Sequence, residues 1–162
     1  MDLHTEITMP DWTSNKLQII GDIEDCESFM RFCNGENGVA FDFSKIIASP
    51  TNLKSDNAFL SWCIRNWGTK WPACECGNWD GQEYEDGKYL FWISFKTAWN
   101  RPLPLILRAS KLFRSIKFVL FAVDEFSDFV DIEEIEEGKI ISQKGWKGSK
   151  KLERQIKEYV LS

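Results

Sequence analysis

Residues 89–99, YLFWISFKTAW, alternate with a period of two. Phe91, Ile93, Phe95, Thr97 and Trp99 fall on one face, and Trp92, Ser94, Lys96 and Ala98 on the other. Successive side chains of a strand point to opposite sides of a sheet, and aromatic and β-branched residues pack well there. The segment reads as the strongest strand of the chain, and the remaining elements must be fitted round it.

Upstream, NKLQIIG (15–21) alternates Leu17 and Ile19 with Lys16 and Gln18, a strand with one buried face. Asp22 is placed to cap a helix in which Ile23, Cys26, Phe29, Met30 and Cys33 recur at helical spacing, stopped by Asn34-Gly35. The stretch 38–50 starts strand-like and is broken at Ser49-Pro50, so it reads as an irregular connection. A second helix runs from Ser55 to Trp67-Gly68 with Phe59, Trp62 and Cys63 on one face. TKWPACECG (69–77) reads as a short edge strand containing Pro72, and Gly77 to Lys88 as a long polar hairpin tip. After RPLP a helix carries Leu105, Ile106, Ala109, Leu112 and Phe113. IKFVLFAV (116–123), apolar on both faces, reads as a central strand. A hairpin turning at Glu137-Gly138 and a terminal helix with Leu152, Ile156, Tyr159 and Val160 on one stripe complete the chain.

Two strand–helix–strand halves joined by a hairpin describe the split βαβ, or ferredoxin-like, arrangement. The expected fold class is therefore α+β: an antiparallel sheet with helices on one face, plus a C-terminal hairpin and helix. The 162 residues suit a single domain. Its expected parts are a flexible extension at 1–8, a ferredoxin-like core at 9–126, and the hairpin and terminal helix at 127–162.

The net charge of −5 argues against a general nucleic-acid binder, which carries a basic excess. The N-terminal residues show no signal-peptide pattern, and no apolar run is long enough for a membrane span. Of the five cysteines, Cys26, Cys33 and Cys63 fall among apolar helical positions, which fits a reduced cytosolic protein. Charge is nevertheless segregated. Eight acidic residues and no basic one lie between Asp124 and Glu137, whereas seven Lys or Arg and one acid lie between Lys139 and Lys157.

Several stretches resemble a known family. MPDWTSNKLQIIGD is similar to the opening MPNWxxNxLxIxG of the YubB ferredoxin-like domain proteins of phages, prophages and plasmids. FDFSKIIASP resembles their FDFNKIIPMP, and WCIRNWGTKW with FKTAWNRPLP resembles their central signature. The chain departs from the pattern in carrying eight residues before Met9, and in having Asp11 and Ser49 where Asn and Met are usual. The resemblance implies an accessory protein of a mobile element in a bacterial cytoplasm, from a family with no established activity.

For chemistry, Cys63, Cys74 and Cys76 fall short of a zinc set, which takes four thiolate or imidazole ligands, and the only histidine is His4. No metal or cofactor is expected. No phosphate-binding glycine loop or nucleophile elbow occurs, so binding is expected rather than catalysis, by a protein-binding factor or inhibitor of a host system. Trp92 and Phe121 could share a sheet face that stacks bases, but the basic-aromatic octapeptide of RNA-recognition motifs is missing. Nucleic acid is therefore a minor alternative, and an uncharacterised enzyme a further one.

The richest stretch is NWGTKWPACECGNW (66–79). If Trp71 and Trp99 meet across the ladder, Asn66, Trp67, Lys70 and Arg101 gather beside them. Such a corner is either a structural tryptophan cluster or a shallow aromatic pocket with a basic rim, suited to a nucleotide or other small anion. Trp79 and Asp80 at the hairpin tip, with Asp128, Asp131, Glu133 and Glu134 of the acidic run, form the expected surface for a protein partner.

Overall fold

The computed structural model describes residues 11–125, 130–145 and 150–162. The expected extension at 1–8 lies outside the described residues. The elements are β1 (Trp12–Gly21), α1 (Ile23–Cys33), α2 (Phe43–Ile46), α3 (Asp56–Asn66), β2 (Asp80–Glu83), β3 (Tyr89–Ala98), α4 (Leu103–Leu112), β4 (Lys117–Asp124), β5 (Val130–Glu136), β6 (Lys139–Gly145) and α5 (Lys150–Leu161).

The sheet order is β2-β3-β1-β4-β5-β6, antiparallel at every pairing. The first four strands in that order are the ferredoxin-like arrangement, and the β5–β6 hairpin extends the sheet beyond β4. Register follows from burial. Leu17 sits between Ile93 and Leu120, and Ile19 between Phe91 and Phe118. This puts one apolar row under α1 and α4, where Cys26, Phe29, Leu105 and Ile106 close the main core. Slipping β1 by one residue would send that row to the other face.

The opposite face is covered by α5. Ile156 and Val160 pack on Val123 and Val130, with Tyr159 edge-on to Phe121 at 5.0 Å. Lys16, on this face of β1, reaches the α5 end, donating to Tyr159 O at 2.7 Å and to Ser162 Oγ at 3.1 Å. Gln18 donates to the Tyr159 hydroxyl. The core helices thus share one face, and the terminal helix takes the other.

Local chemistry departs from expectation at several points. The Asp22 carboxylate does not cap α1; it pairs with Lys88 at 2.8 Å. Ser55 Oγ does cap α3, accepting from Ala58 N–H at 3.2 Å. That helix stops because Gly68 adopts φ +83, where a Cβ would also lie 2.6 Å from Pro104 Cδ. Residues 69–77 do not form a strand. They run beside β3 with separated hydrogen bonds (Lys70 to Ala98, Cys74 to Lys96, Gly77 to Ser94), because Pro72 has no N–H and Glu75 turns into left-handed backbone at φ 46. The paired strand is instead β2, so the tip is reduced to residues 84–88.

A buried ion pair latches the added hairpin to the core. Arg101, from the β3–α4 loop, donates through Nε to Glu133 Oε1 at 2.7 Å, and its Nη1 lies 3.5 Å from Asp131 Oδ2. Gln143 Nε2 donates to the same Glu133 oxygen at 3.2 Å. The Arg101 side chain is 15% exposed and that of Glu133 0%. Removing one member of a buried pair leaves an uncompensated charge. Arg101→Ala should therefore lower unfolding free energy by ~3–5 kcal/mol, whereas Arg101→Met combined with Glu133→Leu should recover most of the loss. Denaturant titration of the three proteins checks this.

The thiols make a second test. Cys26, Cys33 and Cys63 are fully buried. Burial, reinforced by Asp25, Asp22 and Glu27, pushes the Cys26 thiol up to about 11, and burial likewise raises Cys33 and Cys63. Thiolate is the reactive form, and burial also raises the half-buried Cys76 thiol, so a thiol reagent at pH 8 should label Cys74 first, Cys76 more slowly, and the other three only after denaturant is added. Fast labelling of all five would contradict this packing.

Candidate functional site

The turn that ends α3 sorts the residues of the 66–79 stretch. Asn66 keeps its side chain on its own helix, donating to Trp62 O at 2.9 Å. Trp67 goes inward: it is 1% exposed, its indole N–H donates to Ile47 O at 3.0 Å, and its ring meets Trp62 and Phe43 at 5.0 and 5.7 Å. Past Gly68 the buried Thr69 hydroxyl donates to Trp71 O at 2.7 Å, and Lys70 N–H to Ala98 O at 3.2 Å. These two bonds turn Lys70 and Trp71 outward beside the end of β3.

There they meet Trp99. Strand alternation places Trp99 with Phe95 and Thr97 on the buried face, but β3 stops at Ala98. Trp99 enters left-handed backbone at φ 76, held by its N–H donating to Asp11 O at 2.8 Å, and its side chain is thrown out to 45% exposure. A bulky residue at positive φ is strained by ~1–3 kcal/mol. The Lys70 ammonium lies 4.5 Å from the Trp99 ring centroid and 5.0 Å from that of Trp71. Trp12 extends the wall, edge-on to Trp71 at 6.0 Å. Sequence reading missed Trp12, although its place at the head of β1, opposite Ala98, was open to a register argument.

The structure thus brings together Lys70, Trp71 and Trp99, and adds Trp12. It removes three residues from the expected corner: Asn66 is satisfied on its helix, Trp67 is core, and Arg101 is committed to Glu133 and Asp131. The basic rim is therefore one lysine deep. Beside Trp12 a cavity of about 230 Å³ opens between the sheet and the end of α5, lined by Ser14, Lys96, Asp124, Lys157 and Leu161 among others.

The second expected surface disperses. Trp79 is not an exposed tip; it is half-buried, donating its indole N–H to Ala40 O at 3.2 Å and lying edge-on to Phe29 and Phe41 at 6.1 and 6.2 Å. Trp79 precedes β2, where the chain still passes under the 40–43 segment. Asp80 is exposed and accepts from Gly81 N–H. Asp131 and Glu133 are withdrawn to Arg101, because they share the helix-side face with Ile135. Glu134, on the other face, pairs with Lys117 at 3.2 Å. Asp128 lies outside the described residues.

Trp92 and Phe121 do share a face, being opposite Gln18 and Lys16 on β1, but Tyr159 packs on Phe121. A groove of about 230 Å³ remains there between Tyr84, Ile20, Phe121 and Lys144. Among the described residues no group of three or more His, Cys, Asp or Glu could hold a metal ion, and no helix is long and apolar enough to cross a membrane.

No family model matches the chain, and no curated protein matches its sequence. Among solved structures the chain is similar to the crystal structure of a protein api92 from Yersinia pseudotuberculosis, described by the family model DUF1281. The identity is 12% and the TM-score 0.49, over 67% of this chain. This chain spans 40% of the length of that protein.

Proposed function

We propose that this chain acts by binding rather than by catalysis, as a protein-binding accessory factor that docks through the Lys70–Trp71–Trp99–Trp12 corner. The observation that carries this reading is Trp99. Its indole is held outside the core by a strained backbone, beside two further tryptophans, and burial in the core does not account for that cost. Exposed clustered tryptophans are the residues that dominate protein interfaces.

A phage or plasmid origin, membership of the YubB ferredoxin-like group and a bacterial cytoplasm are part of the same proposal. They rest on the motif resemblance between Met9 and Pro104. The anion-binding alternative is weaker on geometry, because Arg101 is spent on Glu133 and an anion would meet Lys70 alone at the corner.

Trp99→Gly separates a contact residue from a structural one. Glycine takes φ 76 without strain, so the variant should keep its thermal midpoint or gain up to ~1 kcal/mol. It should also lose whatever protein the wild type retains stoichiometrically from a host extract. Trp67→Ala, by contrast, should cost ~3–5 kcal/mol as a core truncation. A loss above ~2 kcal/mol in Trp99→Gly would make Trp99 structural, since it exceeds what an exposed cation–π contact supplies.

A further inference from the structure

We propose that Trp71 and Trp99 form a cation-binding aromatic cage, that Lys70 is its internal plug, and that the true occupant is an alkylammonium cation such as a lysine side chain presented by the protein partner. The inference rests on the reading of this corner as a docking surface and adds the chemistry that surface selects.

The structure already shows a cation in the cage. One ammonium, Lys70 Nζ, stands over both rings, at 4.5 and 5.0 Å from their centroids. Cations within ~6 Å of an indole centroid are attracted by the ring quadrupole, and aromatic cages for quaternary and methylated ammonium groups use this interaction. Among the described residues Lys70 makes no ion pair, unlike Lys88, Lys96, Lys117 and Lys157. What holds it is the pair of rings.

The plug is weakly held. Lys70 shares a surface with the 45%-exposed Trp99, so the contact falls at the weak, exposed end of cation–π strength, a factor of ~2–5 in occupancy. A flexible lysine stem can swing into water, and a partner's ammonium would take its place between rings that stay put. Those rings are fixed from behind: the Trp99 N–H is bonded to Asp11 O, Trp12 abuts Trp71, and Lys70 N–H is tied to Ala98 O. Left-handed backbone at Trp99 gains a purpose on this view, since it is what brings its indole to Lys70 instead of into the sheet. The net charge of −5 favours the approach of a cation over that of an anion.

The test uses the full chain and tetramethylammonium chloride, titrated against sodium chloride at equal ionic strength. Binding is read from the indole N–H signals of Trp71 and Trp99 and from tryptophan fluorescence. Lys70→Ala, which empties the cage, should bind tetramethylammonium ~2- to 5-fold more tightly than wild type, and Lys70→Ala/Trp99→Ala should not bind it. Butylammonium in place of tetramethylammonium distinguishes an unmodified lysine from a methylated one as the preferred occupant. The proposal is overturned if Lys70→Ala shows no response, if wild type and Lys70→Ala bind equally, or if binding survives loss of Trp99. A silent cage in Lys70→Ala, together with partner capture that still depends on Trp99, would remove the cage and leave the docking surface. Capture that ignores Trp99→Gly would remove the docking surface itself.

Discussion

Everything in this molecule is positioned by β1. It is hydrogen-bonded to β3 along one edge and to β4 along the other, and it is covered on both faces. Leu17 and Ile19 point into the main core, while Lys16 and Gln18 meet α5. A strand in this position tolerates neither a register slip nor an uncovered face. The two core helices and the terminal helix complete that strand's surroundings, and the added hairpin builds outward from its neighbour β4. The tryptophan corner sits where β1 begins, at the pairing of Trp12 with Ala98. It is exposed because the sheet runs out there.

What was legible in the chain, and what was not, divides by the range of the interactions. Local periodicity determined β1, β3 and the helices α1, α3, α4 and α5, and a continuous apolar run determined β4. The ferredoxin-like order followed from their sequence. α2 was missed, because Phe43–Ile46 lies in the stretch 38–50 that reads as strand-like and then irregular. Glu133 was misread because an acidic run looks solvent-facing, yet it lies two residues from Ile135, and that spacing alone puts both on one face. Its partner Arg101 is thirty-two residues away, beyond any local pattern.

Trp79 failed for the same reason. Polar neighbours suggest an exposed tip, while the groups that bury it, Ala40, Phe41 and Phe29, come from another part of the chain. Trp71 and Trp99 were correctly brought near one another, although the segment that carries Trp71 is not a strand. The left-handed turn at Trp99 had no sequence signal at all, because such a conformation ordinarily calls for glycine. Places where local preference is overridden without a packing gain are where function is to be sought.

The docking of α5 has a consequence for how the protein comes into being. Lys16 finds its hydrogen-bond partners at Tyr159 and Ser162, separated by 143 and 146 positions. A chain emerging from the ribosome could assemble the four-stranded core and close its helical side, yet Phe121 and Val123 would stay wet until α5 arrived. During that interval the nascent protein would present a half-finished apolar sheet. Such a surface is what chaperones hold and what aggregates recruit, so α5 guards the sheet's second face as well as stabilising it.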